Sequence, residues 1–315
     1  MEKRIDNKNS VEMKSFYSNI RPIALFCKLL GTFTLSNALT SDGKLLKYKL
    51  FSIHFLWPVF LQFTATWLLW KYEAFPWWIL SGPFETYRSL AVIILCVYDK
   101  YLLDLIHHIE EFDKVYLIKC GRSPTKTYFG NGKVWVLISS IFFVICMLLI
   151  LMISRSYPEK SLIRAILDTA FIVLPWIAHQ SFLIQYVLFC INISSRFIDI
   201  SSQFKILITI SRIERVRAWS TMKQNGDLEF EESFANIGKL YWHLLETVMK
   251  LNKSFGIKLA NHLVICFVQM LLDVYQFSYN YGMNAISATV FLSYQTFSIL
   301  IVGVVTEYLT SSVST

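Results

Sequence analysis

Along the chain, apolar residues gather into runs of about twenty, separated by connections rich in Lys, Arg, Asp and Glu. That length matches the ~20 residues a helix needs to cross ~30 Å of hydrocarbon. A spanning β-strand would instead alternate apolar and polar residues over segments of about ten. The pattern predicts an all-α, polytopic helical membrane protein with six spans, at 50–70, 82–98, 134–153, 165–191, 259–277 and 285–305. The second is short and opens beside Glu85 and Arg88; extended backward through 75–78 it reaches full length. Trp70, Trp77, Trp78 and Tyr98 fall near the proposed ends, where amphipathic rings suit the headgroup level.

Two stretches between spans keep a helical period although they are too charged for hydrocarbon. Leu102, Leu105, Ile106, Ile109 and Phe112 form one apolar face after the second span. Phe234, Ile237, Leu240, Tyr241, Leu244, Leu245, Val248 and Leu251 form another before the fifth, after a turn at Asn225, Gly226 and Asp227. Both read as long cytoplasmic helical extensions. Each apolar stripe requires cover, either from helices of the same subunit or from a second subunit.

Basic residues set the orientation. Lys44, Lys47 and Lys49 precede the first span, five Lys and Arg from Lys114 to Lys133 follow the second, and ten from Arg196 to Lys258 follow the fourth. The opposite connections carry only Lys71 in the first, Arg155, Lys160 and Arg164 in the second, and none in the third. The amino terminus is therefore expected in the cytosol. This gives a cytoplasmic segment 1–49, a membrane domain 50–305 with cytoplasmic loops 99–133 and 192–258, and a cytoplasmic end 306–315. Residues 1–19 are polar and lack a signal-peptide core, so the first span is expected to direct insertion.

Composition agrees. Of 315 residues, 55% are hydrophobic and only 17% charged, with mean hydropathy +0.47. The net charge of +8 is accounted for by the cytoplasmic bias, and no nucleic-acid partner is expected. Six cysteines lie in helices or cytoplasmic loops without metal-ligand spacing and read as free thiols. The sequons at Asn192 and Asn252 fall on the cytosolic side and should stay unmodified.

Polar groups in hydrocarbon are costly and so point to partners, cavities or water paths. On the outward halves of the spans, Arg88, Asp168, Gln269, Asp273, Tyr275 and Ser287 are candidate ligand-binding residues. The plainer alternative pairs Glu85 with Arg88, three apart on one helix, and leaves Asp168 or Asp273 shallow enough to meet water. Deeper, His179 and Gln180 follow Pro175 by one turn; interhelical hydrogen bonding is their expected role, and His262 is read the same way. The adjacent His107 and His108 point to different helix faces, so no metal site is expected there. No phosphate loop, His-Glu-x-x-His or Gly-x-Ser-x-Gly motif occurs, and neither an enzyme activity nor a cofactor is expected.

The stretch Arg21-Pro-Ile-Ala-Leu-Phe-Cys-Lys-Leu-Leu-Gly-Thr-Phe33 resembles the amino-terminal segment of insect gustatory receptors. Residues 240–276, with Leu251, Asn252, Phe255, Gly256 and Leu259 inside them, resemble the approach to the fifth span of that family. The cytoplasmic amino terminus and long helical loop after span four match the wider superfamily that includes the insect odorant receptors. The resemblance implies a ligand-gated cation channel of the plasma membrane, a homo- or hetero-tetramer around a central pore, opened by small-molecule tastants. The family's seventh span, with its Thr-Tyr and Gln-Phe motif, has no counterpart before Thr315, so this sequence is expected not to conduct alone. An odorant receptor of the same superfamily and a secondary transporter are the alternatives; the latter would show broken helices in two repeated halves, and no such repeat is evident.

Overall fold

The computed structural model describes residues 16–40, 42–50, 52–72, 78–120, 162–218, 226–278 and 285–314. The proposed third span, 134–153, lies outside the described residues. Within them the chain is all-helical, and its only β feature is an isolated bridge between Ser36 and Lys47.

Helix α1 (Phe16–Leu29) carries Phe16, Ile20, Ile23, Ala24 and Cys27 at helical spacing, and all are buried. It ends at Gly31, whose φ of +74° suits a residue without a side chain. A Cβ there would also meet the backbone of Pro58 at 2.9 Å. The chain then runs extended through Thr32–Leu35 and a 3₁₀ turn, Gly43–Leu45, capped by the Asp42 carboxylate, which accepts from the Lys44 amide at 3.0 Å. Helices α2 (Ile53–Tyr72) and α3 (Trp78–Cys96) occupy the stretches expected to be the first two spans. α4 (Asp99–Cys120) continues from α3 after a two-residue turn.

The next three helices are long. α5 (Leu162–Ala218) has 57 residues, α6 (Gly226–Ser278) has 53 and α7 (Ala285–Ser314) has 30. At ~1.5 Å per residue, α5 measures about 85 Å, nearly three times the ~30 Å hydrocarbon layer. Much of it must therefore stand outside any bilayer it crosses. Among the described residues, three stretches are long and apolar enough to cross a membrane: Ile177–Ile213 in α5, Glu231–Tyr275 in α6 and Leu292–Ser314 in α7. α2 adds a shorter apolar stretch, Ile53–Thr64.

The main apolar core lies between α1, α4, α5 and α6, with Leu309 of α7 at its edge. Leu102, Leu105, Ile106, Ile109 and Phe112 of α4 are all fully buried in it, so the stripe on this helix finds its cover within the same chain. On α6 the expected stripe divides. Ile237, Leu240, Leu244 and Leu251 join the core, whereas Phe234 and Tyr241 remain largely exposed. Polar ties fix the packing around this core. Arg196 of α5 donates to both carboxylate oxygens of Asp113 on α4, at 2.8 and 2.6 Å, in a pair shielded from water. Glu110 accepts from the Tyr17 amide at 3.4 Å and lies against Gly43, where a side chain would collide with the carboxylate.

Candidate functional site

On α6, Lys258, His262, Cys266, Gln269 and Asp273 follow one another at steps of four, four, three and four residues. That spacing keeps them on one helix face over about 22 Å of rise. Lys258, His262, Cys266 and Asp273 are buried and Gln269 partly so. This is a polar column inside an apolar helix, facing α3 and α5.

At its lower end Lys258 Nζ lies 2.7 Å from Asp99 Oδ1, and both side chains are fully buried. The other Asp99 oxygen accepts the Thr34 amide at 2.8 Å and the Thr34 hydroxyl at 2.9 Å. A buried ion pair is tolerable when such bonds satisfy its remaining lone pairs. Asp99 also opens α4, where the helix dipole favours a negative charge. The Lys258 ammonium sits over the rings of Phe182 and Phe255, 4.9 and 5.5 Å from their centroids.

One turn higher, the His262 ring stacks on His179 of α5 with centroids 4.9 Å apart and planes 21° from parallel. Cys266 Sγ approaches His262 Nε2 at 3.5 Å. His262 Nδ1 and both nitrogens of His179 are buried and have no hydrogen-bond partner among the described residues. The interhelical hydrogen bonds expected for His179 and His262 are thus replaced by ring stacking, because the two imidazoles meet face to face. Beneath them Thr32 bonds the Ser181 hydroxyl, and Gln185 Nε2 donates to the Thr32 carbonyl at 3.2 Å.

At the upper end Gln269 Nε2 donates to Asp273 Oδ1 at 2.8 Å. Asp273 Oδ2 and Gln269 Oε1 are buried acceptors without a partner among the described residues. The buried guanidinium of Arg88 on α3 is close enough to act electrostatically on both Asp273 and His179. Guanidinium, imidazole, amide and carboxylate therefore converge from three helices.

Of the residues singled out from the sequence, Arg88, His179, Gln269 and Asp273 belong to this assembly. Gln180 is buried beside His179. Tyr275 is partly exposed and sits two residues beyond Asp273, on another face of α6. Asp168 and Ser287 lie on α5 and α7, with side chains outside the described residues, as is that of Glu85 on α3. The sequence reading counted Lys258 among cytosolic bases and gave Asp99 no role; the structure makes them a buried pair. The stepped spacing of Lys258, His262, Gln269 and Asp273 was the available signal. Gln62 of α2 and Gln295 of α7 are also buried, each with an unbonded side-chain oxygen among the described residues.

In a low-dielectric interior, unsatisfied donors and acceptors favour any molecule that completes their hydrogen bonds. The upper part of the column offers two such acceptors among the described residues, Gln269 Oε1 and Asp273 Oδ2. No family model matches this chain, and no curated protein is significantly similar to it.

Proposed function

We propose that the chain is a chemosensory receptor subunit of the gustatory type, a six-span protein of the plasma membrane with a cytosolic amino terminus. In this reading it assembles with related subunits into a tetrameric cation channel opened by small-molecule tastants. The observation that carries the proposal is the meeting of His179, Gln269 and Asp273 on α5 and α6, both long and apolar enough to cross a membrane, within electrostatic reach of Arg88 on α3, with Gln269 Oε1 and Asp273 Oδ2 unbonded among the described residues. A polar ligand would supply donors to Asp273 Oδ2 and Gln269 Oε1, while Arg88 would hold an acceptor. The resemblance at 240–276 adds support: Phe255 is fully buried against Phe189 and Tyr186, with centroids 5.6 and 5.9 Å away. The odorant branch would share this architecture and differ in ligand.

A secondary transporter is the second reading, favoured by the continuous column from Asp99 to Asp273, since ionisable groups at successive depths suit ion-coupled transport. Patch recording and flux measurement on cells expressing the chain with related subunits separate the two. A tastant-evoked current with resolvable unitary openings is expected. Stoichiometric substrate uptake without unitary openings would replace the receptor reading with the transporter. For topology, a reporter fused to the amino terminus is expected to face the cytosol and Asn252, which is exposed, to remain unglycosylated. Asn192 is less informative, because it is buried and donates to the Leu188 carbonyl at 2.8 Å.

A further inference from the structure

Two pairs with the same spacing meet between α4 and α6: His108 with Glu111, and His243 with Glu246. Residues three apart share a helix face, so each helix offers an imidazole and, one turn on, a carboxylate. The helices run antiparallel, since Asp99, Asp104, His108 and Lys119 of α4 meet Lys258, Lys250, His243 and Asn236 of α6 in turn. Glu246 and Glu111 therefore flank the two rings from opposite sides. α4 carries eight charged residues among 22, which keeps this region out of hydrocarbon.

The imidazoles of His108 and His243 stack with centroids 4.0 Å apart and planes 7° from parallel. One ligand atom from each of His108, Glu111 and His243 lies within 4.8 Å of the others. His108 Nε2 is buried, has no hydrogen bond among the described residues and sits 3.7 Å from Glu246 Oε2. The one polar contact between the two histidines is long, 3.3 Å from His243 Nε2 to the His108 carbonyl.

We propose that His108, Glu111 and His243 bind a borderline divalent transition-metal ion, Zn²⁺ in the first place, as a bridge between α4 and α6. Two imidazole nitrogens and a carboxylate oxygen are a zinc donor set, with the fourth position left to water. Around a tetrahedral ion with ~2.0–2.1 Å bonds the ligand atoms stand ~3.3 Å apart, so the observed spread closes by side-chain rotation. An ion cannot lie in the planes of two parallel rings at once, and binding turns one imidazole out of the stack. Lys250 does not occupy the site, because its ammonium pairs with Asp104 at 2.6 Å. Exposed Glu111 gives the ion a route from solvent.

The test uses the full chain, purified in detergent without a polyhistidine tag, and Co²⁺ as the probe. One Co²⁺ per chain is expected, with the intense visible absorption of a four-coordinate ion, displaced by Zn²⁺. Glu111→Gln should weaken binding at least tenfold, and His243→Gln should abolish it. Glu111→His should keep a full ligand set and shift the absorption, while His54→Gln, on α2 and so on neither of the two bridged helices, should bind as the parent does. Gln at an exposed helix position leaves the fold intact, so its effect reports ligation. No bound Co²⁺, a weak six-coordinate spectrum, or unchanged affinity in both Glu111→Gln and His243→Gln would overturn the site.

Discussion

The two halves of α6 bury different kinds of residue. In its first half the inward positions are mostly apolar, Leu240, Leu244, Leu251 and Phe255 beside Thr247 and Ser254, while Glu231, Glu232, Lys239 and Lys253 face out with Trp242 and Met249. After Gly256 the balance shifts: Lys258, His262 and Asp273 turn inward beside Ile265 and Cys266, and Val264, Phe267, Leu271 and Val274 face out. Such a shift along one continuous helix is what passage from water into hydrocarbon would produce. Outside the bilayer the hydrophobic effect drives apolar groups into the core. Within it, lipid tails accept apolar side chains as readily as a protein core does, and polar groups must find each other inside. Burial therefore marks the core in the first half and the candidate site in the second.

The largest effect tests the boundary, where Lys258 is fully buried with Asp99. Lys258→Ala would leave Asp99 charged and unpaired, and removing one partner of such a pair costs ~3–5 kcal/mol. The variant is expected to lose most of its folded, monodisperse protein in detergent. Combining Lys258→Met with Asp99→Asn should recover much of it, because a neutral pair carries no uncompensated charge. A Lys258→Ala protein with parental thermal stability would show that the pair is wet.

Next comes the aqueous half. Leu244 is fully buried in the main core, so Leu244→Ala should cost ~2–5 kcal/mol through lost transfer energy and the cavity left behind. The readout is the midpoint of thermal unfolding. An unchanged midpoint would mean that this half of α6 is not a core helix.

Much of this division is legible in the sequence, and what escapes it has a physical cause. Periodicity located the stripe on α4 because all five of its apolar residues serve one core. It described α6 less well, since Phe234 and Tyr241 share the period of Leu240 and Leu244 but are exposed. Spacing along one helix can show which residues share a face; it cannot say which other helix meets that face. His108 and His243 stand 135 residues apart, and Asp99 and Lys258 are separated by 159. Such pairs are fixed by the antiparallel register of α4 and α6, a tertiary fact. Arg88, Gln269 and Asp273 were recognisable because a charged or amide group in an apolar run is conspicuous by itself.

A smaller effect is expected at Asp273. Asp273→Asn keeps the shape and the bond from Gln269 while removing a charge-assisted acceptor. If the column binds ligand, the response midpoint should move about tenfold, on the order of 1.4 kcal/mol, in a dose–response curve normalised to surface protein. A purely structural carboxylate would instead lower surface delivery and leave the midpoint in place.

The smallest effect concerns Leu271, which faces outward on the second half of α6, within the stretch apolar enough to cross a membrane. Truncating a core leucine removes contacts that rigid neighbours cannot replace, but acyl chains are fluid and flow into the space a lipid-facing leucine vacates. Leu271→Ala in lipid nanodiscs should therefore shift stability by no more than about 0.5 kcal/mol, the range of a surface substitution. The same position must reject charge, so Leu271→Arg should be costly, by ~2.5–3.5 kcal/mol for a residue at mid-depth. Together the two substitutions identify the surrounding medium. A water-facing leucine would tolerate both, a core leucine would tolerate neither, and only contact with hydrocarbon accepts the alanine while refusing the arginine.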